Sequence, residues 1–189
     1  MKKFIVTTTI QPPTRATQLF AKMEDWTLVV VGDTKTPHHF YQNHIDCVYL
    51  TPEEQEERYK DLSDAIGWKK IQRRNIGFVY AYEQGADIVA TVDDDNIPYE
   101  SWGKDLMVGE EVEVDFYETE NLVFDPLSVT NNSELWHRGY PVEYIPTKNE
   151  VNYVGKRKTK VMVQANLWDG DPDIDATTRL TKRPCVKFN

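Results

Sequence analysis

Asp87-Ile88-Val89-Ala90-Thr91-Val92 runs without a break into Asp93-Asp94-Asp95. The first part is apolar and β-branched, the signature of a strand buried in a sheet. The second part is three adjacent carboxylates, which repel one another and are costly to bury unpaired. A hard divalent cation removes that cost. Carboxylate oxygens suit Mg2+ or Mn2+, ions that keep some of their water and share a substrate phosphate. The C-terminal end of a parallel strand is also where open α/β sheets take their ligands. A solvated acidic turn would carry the same three letters, but the buried strand ahead of them weighs against it.

Upstream, the same alternation of apolar strand and helix recurs. Lys3-Phe4-Ile5-Val6-Thr7-Thr8-Thr9 and Thr27-Leu28-Val29-Val30-Val31 read as buried strands, and Cys47-Val48-Tyr49-Leu50 as a short third one. Thr14, after Pro12-Pro13, can cap a helix reaching to about Met23. Thr51-Pro52-Glu53-Glu54 is a capping box with proline at the first helical position. A longer helix is expected over Trp68 to Gln84, closed by Gly85. Continuous apolar strands separated by helices imply a parallel sheet covered on both faces. Crossover handedness then favours a doubly wound α/β layout. The second half is less regular. Val112 to Tyr117, Tyr140 to Ile145 and Lys160 to Trp168 are strand candidates, giving an α+β extension of the same domain. The expected division is a single domain over 1–189, with a nucleotide-binding half at 1–100 and an acceptor or catalytic half at 101–189.

The chain has 189 residues, of ordinary globular composition. Its net charge is −9, which argues against a nucleic-acid or anionic-membrane surface. No apolar run approaches the ~18 residues of a transmembrane span, and Met1-Lys2-Lys3 begins no signal peptide. Cys47 and Cys185 are far apart and in no metal-ligand spacing, so reduced thiols in a cytoplasmic compartment are expected.

Three further stretches could carry chemistry. Gln72-Arg73-Arg74-Asn75-Ile76-Gly77 places two arginines at a helix start, suited to a phosphate or to an exposed basic patch. Val31-Gly32-Asp33 ends a strand with an acid that could accept a hydrogen bond from a nucleobase, or simply make a turn. Trp168-Asp169-Gly170-Asp171-Pro172-Asp173-Ile174-Asp175 could hold a general base, or be a solvated acidic loop ahead of a helix. No Ser/His/Asp set, phosphate-binding glycine loop or zinc spacing is present. His38, His39, His44 and His137 form no metal motif, and His38 and His39 read as surface residues near a turn.

Arg74-Asn75-Ile76-Gly77, Ala81, Gly85 and Asp93-Asp94-Asp95 together are similar to the ordered pattern of nucleotide-sugar glycosyltransferases with the GT-A fold. Thr7 to Thr14 and Val30 to Pro37 resemble the plant STELLO-type glycosyltransferase domain. Trp136-His137-Arg138-Gly139-Tyr140-Pro141 and Leu167 to Thr177 resemble both that group and the reversibly glycosylated polypeptides, which are UDP-sugar mutases. The chain also looks like the N-terminal domain of chlorella-virus glycosyltransferases. The larger relatives continue well past Asn189, so the resemblance implies one domain of a longer polypeptide, in the host cytoplasm if viral.

The resemblance implies a GT-A, Rossmann-like α/β fold and a UDP-sugar donor. Thr8 and Thr9 would flank the base, Asp33 would read the uracil, and Arg74 would contact the nucleotide. Asp93, with Asp94 beside it, would serve the ribose, while Asp93 and Asp95 would hold Mn2+ or Mg2+. A glycan or other hydroxyl acceptor would lose its proton to Asp175, or to Asp173, in an inverting transfer. The late motif is Asp-Ile-Asp rather than the Glu-Asp of many inverting enzymes. Two alternatives share the donor site: a mutase taking up sugar on Arg138, and a binding module without a base.

Overall fold

The computed structural model describes residues 1–181 and 185–188. The chain divides into two compact units, Met1–Asp105 and Leu106–Asn189.

The first unit is built on a parallel sheet of β1 (Lys3–Thr9), β2 (Thr27–Gly32), β3 (Val48–Leu50) and β4 (Ile88–Thr91), in the order β3-β2-β1-β4. Because successive side chains point to opposite faces, β1 and β2 each feed two cores, whereas β4, expected as a buried strand, is an edge strand paired only to β1, with Val89 40 % exposed and Thr91 exposed. Ile5, Leu28 and Val30 pack with Ala16 and Phe20 of α1 (Arg15–Phe20) and Tyr41 of α2 (His38–Asn43). Val6, Val29, Val31 and Leu50 pack with Ile76 and Ala81 of α5 (Arg74–Glu83) and with residues of α4 (Lys60–Ile66). Full burial of each such side chain stabilises by about 1.5–3 kcal/mol. The chain steps outward from β1 to β3, then returns to place β4 on the other side of β1. Right-handed crossovers in opposite directions put helices on opposite faces. The α/β Rossmann-like layout expected from the strand pattern is therefore the one observed.

The caps form where the sequence signals them. The Thr14 hydroxyl accepts from the Thr17 amide, 3.1 Å away. Thr51 and Glu54 make a reciprocal capping box at the start of α3 (Pro52–Arg58). Gly77 meets the sheet so closely that a Cβ there would lie 2.5 Å from Val6 Cγ1 and 2.9 Å from Val31 Cγ2. Gly77→Ala is thus expected to destabilise by about 1–3 kcal/mol, the usual cost of overpacking. A urea-unfolding midpoint equal to that of the wild type would contradict this.

Three expectations need correction. The helix expected from Trp68 begins only at Arg74, after a single 3-10 turn over Ile71–Arg73. Gly67 (φ +73°) and Lys69 (φ +61°) hold left-handed backbone that no helix continues through. His38 and His39 do follow closely on a turn, over Thr34-Lys35, and open α2; His39 is exposed as expected, whereas His38 is half-buried with Nδ1 2.6 Å from the Tyr49 hydroxyl. In the second unit, Tyr140 to Ile145 is not a strand, because Val142–Thr147 forms a 3-10 turn around Pro146.

That unit pairs β5 (Glu111–Glu118) antiparallel with β6 (Asn152–Lys160). The strand expected over Lys160 to Trp168 lies upstream, since β6 ends at Lys160. β6 is almost wholly polar and carries no apolar signal. Its register supplies one instead: Glu111, Glu113 and Asp115 stand opposite Lys160, Lys158 and Lys156, opposite-charge pairs that stabilise a ladder. A small core of Leu127, Leu135 and Ile174 lies beside α6 (Ala176–Thr181).

Candidate functional site

The return of the chain from β3 to β4 makes the C-terminal ends of β1 and β4 the switch point of the first sheet, the place where such sheets bind ligands. Thr9 and Asp93-Asp94-Asp95 lie there. The Thr9 hydroxyl donates to the Asp94 carboxylate, and the Thr14 hydroxyl donates to the Asp94 carbonyl. Arg74, in the first turn of α5, donates to Asp93 Oδ1 at 2.5 Å and to the Thr91 hydroxyl at 3.1 Å. Asp95 is exposed and forms no ion pair among the described residues. The triplet is thus spread over different partners. Among the described residues, no three His, Cys, Asp or Glu side chains gather as a metal-holding group.

Beside this edge, β2 delivers Asp33, only 3 % exposed. Its Oδ1 accepts from the Thr34 amide at 2.6 Å and the Thr34 hydroxyl at 3.0 Å, and its Oδ2 from the Lys69 amide at 2.7 Å. A carboxylate has about four acceptor positions, so Asp33 is held rigidly while keeping capacity for a ligand donor. The Thr8 hydroxyl donates to the Val31 carbonyl at 2.8 Å, tying it to the sheet.

Arg73 and Arg74 do different things. Arg73 is fully buried. It donates to Gln55 Oε1, to the Ser63 hydroxyl at 2.9 Å and to the Gly67 carbonyl at 3.5 Å, and its guanidinium carbon lies 3.6 Å from the centre of the Trp68 ring. Gln55 in turn donates to the Gly32 and Leu50 carbonyls, each at 2.8 Å. Burial pulls the Arg73 guanidinium below its usual range, opposed by the charges of Asp33 and Glu56. This network fixes the loop whose Lys69 amide holds Asp33. The sequence gives no hint of it, because a fully buried arginine without an ion-paired carboxylate is exceptional.

In the second unit each acid of the late segment has its own anchor. Asp171 pairs with Arg179 at 2.7 Å, and Asp173 Oδ2 pairs with Arg138 at 3.0 Å. Asp175 Oδ1 accepts from the Thr177 amide at 2.7 Å, capping α6. The segment bridges antiparallel to Trp136-His137-Arg138: the Asp175 amide donates to the Trp136 carbonyl, and the Arg138 amide to the Asp173 carbonyl. Two motifs far apart in the sequence are therefore one local structure.

The sequence does not foretell the partner of His137. Asp125, 1 % exposed, places Oδ1 2.7 Å from His137 Nδ1. Burial alone would raise the Asp125 carboxyl. Hydrogen bonds from His137 and the Leu127 amide outweigh it and hold the group below the usual carboxylate range. Asp125 is thus an ionised acceptor, and Nδ1 is the donor.

No family model matches the chain. The chain is similar to two proteins of Arabidopsis thaliana. It is 24 % identical to the probable glycosyltransferase STELLO2, over 96 % of this chain and 25 % of that protein. It is 21 % identical to the probable glycosyltransferase STELLO1, over 98 % of this chain and 25 % of that protein. The chain therefore spans about a quarter of the length of these curated relatives. The likeness to STELLO-type proteins expected from the motifs is borne out at this level of identity.

Proposed function

We propose that this chain is a glycosyltransferase domain that moves a sugar, with inversion, from a UDP-sugar to an acceptor hydroxyl with the help of Mn2+ or Mg2+. The observation that carries the reading is the acidic triplet at the switch point of a doubly wound sheet, with Arg74 seated on its first carboxylate. The similarity over nearly the whole chain to proteins named as probable glycosyltransferases supports the same chemistry.

The donor set suits the cation. Mg2+ and Mn2+ ask for one or two carboxylates plus phosphate oxygens and water, not a cage of three protein ligands. Asp95 and the second oxygen of Asp93 would supply them. A bound cation would stabilise the charge that develops on the departing diphosphate. The protein's own groups do the rest. Arg74 adds a fixed positive charge beside Asp93, and Thr8, Thr9 and Asp33 line the place of the base. For the acceptor's proton the sequence nominates Asp175, with Asp173 in reserve. Each spends one oxygen on an anchor and keeps the other without a partner among the described residues.

Asp33 makes the reading testable. Uracil N3–H can donate to its carboxylate, and cytosine has no proton there. Leaving a buried carboxylate position unpaired costs about 1–3 kcal/mol, so UDP is expected to bind about 5- to 150-fold more tightly than CDP. Asp33→Ala should bring the two affinities together in calorimetry. Equal affinities already in the wild type would remove Asp33 from this role.

A further inference from the structure

We propose that Thr36 is the positioning residue for nucleobase choice in the first unit: its hydroxyl fixes Asp33 against Thr9, so that a base with an N–H donor at the contact is preferred. This rests on the reading of that sheet edge as the place of a UDP-sugar. Thr36 is 3 % exposed. Its hydroxyl accepts from the Asp33 amide at 2.8 Å and donates to the Thr9 carbonyl at 2.5 Å. Its own amide donates to the Asp33 carbonyl at 2.9 Å, closing the turn over Thr34-Lys35. The β1–β2 ladder ends beside it, at the pair Thr9 and Gly32. One buried hydroxyl thus braces the two strand ends where regular pairing stops. A hydroxyl has a single proton to donate. The Thr9 carbonyl takes it here, so Thr36 acts on a ligand only through its neighbours.

Those neighbours are two sides of the base site. The Thr9 hydroxyl donates to Asp94 and accepts from the Gln11 amide at 3.0 Å. The Asp33 carboxylate is held by Thr34 and by the Lys69 amide. With its side chain tied to the loops and its main chain tied to Thr9, the Asp33 carboxylate is fixed in direction. Hydrogen bonds weaken steeply when misaligned, so choice between bases depends on that rigidity. Uracil presents N3–H. Cytosine presents a lone pair at the same position, which a fixed carboxylate repels. Without the Thr36 hydroxyl the Asp33 amide loses its partner and the main chain is free to tilt. The carboxylate can then turn away from the cytosine lone pair, and selectivity falls although Asp33 is still present.

The test is calorimetry of UDP and CDP on the full chain in Mn2+. Thr36→Val keeps the size and the backbone bond but lacks the hydroxyl; Thr36→Ser keeps the hydroxyl. Thr36→Val is expected to lower the UDP-to-CDP affinity ratio by about 5-fold or more, and Thr36→Ser to retain the wild-type ratio. A merely structural role would weaken both nucleotides alike. An unchanged ratio in Thr36→Val, or a ratio lost equally in Thr36→Ser, overturns the proposal. It leaves the Asp33 reading intact where the wild type prefers UDP and Asp33→Ala does not. No preference in the wild type overturns both. Amide hydrogen exchange in the wild type needs neither variant. The Asp33 amide, held by a buried hydroxyl, is expected to exchange at least about 100-fold more slowly than an unstructured amide, and more slowly at saturating UDP than at saturating CDP. Exchange at the unstructured rate, or equal slowing by the two nucleotides, overturns the proposal even where Thr36→Val does not fold.

Discussion

Replacing Arg73 with methionine should destabilise the protein by about 3–5 kcal/mol, the combined cost of leaving several buried neutral acceptors without their donor. The side chain is fully buried and joins three elements, α3 through Gln55, α4 through Ser63 and the following loop through Gly67. Methionine is of similar size, so the loss is not mainly a cavity. It is the set of acceptors left dry, each costing about 1–3 kcal/mol when buried without a donor. Relief from burying a cation works the other way. It prevails only when the partners are also replaced by apolar groups, and here Gln55 must stay to hold Gly32 and Leu50. Arg73→Lys should fall between, since an ammonium keeps the charge but loses the planar fork and the stack on Trp68. The effect should extend to ligand binding, because the same network holds Lys69 and so Asp33. Urea unfolding measures the first consequence and UDP calorimetry the second. A loss below about 1 kcal/mol would show that the network is not integral to the unit.

The second large effect is expected at Asp95. Asp93 and Asp94 are engaged by Arg74 and Thr9, whereas Asp95 is exposed and free of any ion pair among the described residues. Asp95→Asn should leave stability within about 0.5 kcal/mol, as surface changes do, yet lower metal-dependent turnover by about 1,000-fold, equivalent to roughly 4 kcal/mol of lost stabilisation at the diphosphate. Asp93→Asn should match that loss and also release Arg74. Turnover of Asp95→Asn equal to wild type, with or without a chelator, would show that this carboxylate holds no cation.

The parallel half of the chain was legible because its signals are local. β-Branched runs mark β1 and β2, Thr14 and Thr51 mark helix starts, and the acidic triplet marks a strand end. Crossover handedness then sets which face each helix covers, while the strand order β3-β2-β1-β4 is seen only in the structure. What escaped depends on distant pairing. β6 is a polar segment that becomes a strand only because β5 presents opposite charges in register. Arg73 and Arg74 are adjacent letters, one buried under a tryptophan and the other at the sheet edge, and nothing local separates them. Asp125 looks like any loop aspartate until His137 arrives against it. The acidic segment read as a charge cluster, but each of Asp171, Asp173 and Asp175 is tied to a different partner.

The central claim, a metal-dependent transferase acting on UDP-sugars, is met most directly by measuring UDP released from a panel of UDP-sugars, with water and free monosaccharides as acceptors, in Mn2+ and in EDTA. The account predicts release from at least one donor, abolished by EDTA and by Asp95→Asn in a protein that remains folded. Intact donors throughout, or release that EDTA leaves unchanged, would contradict it.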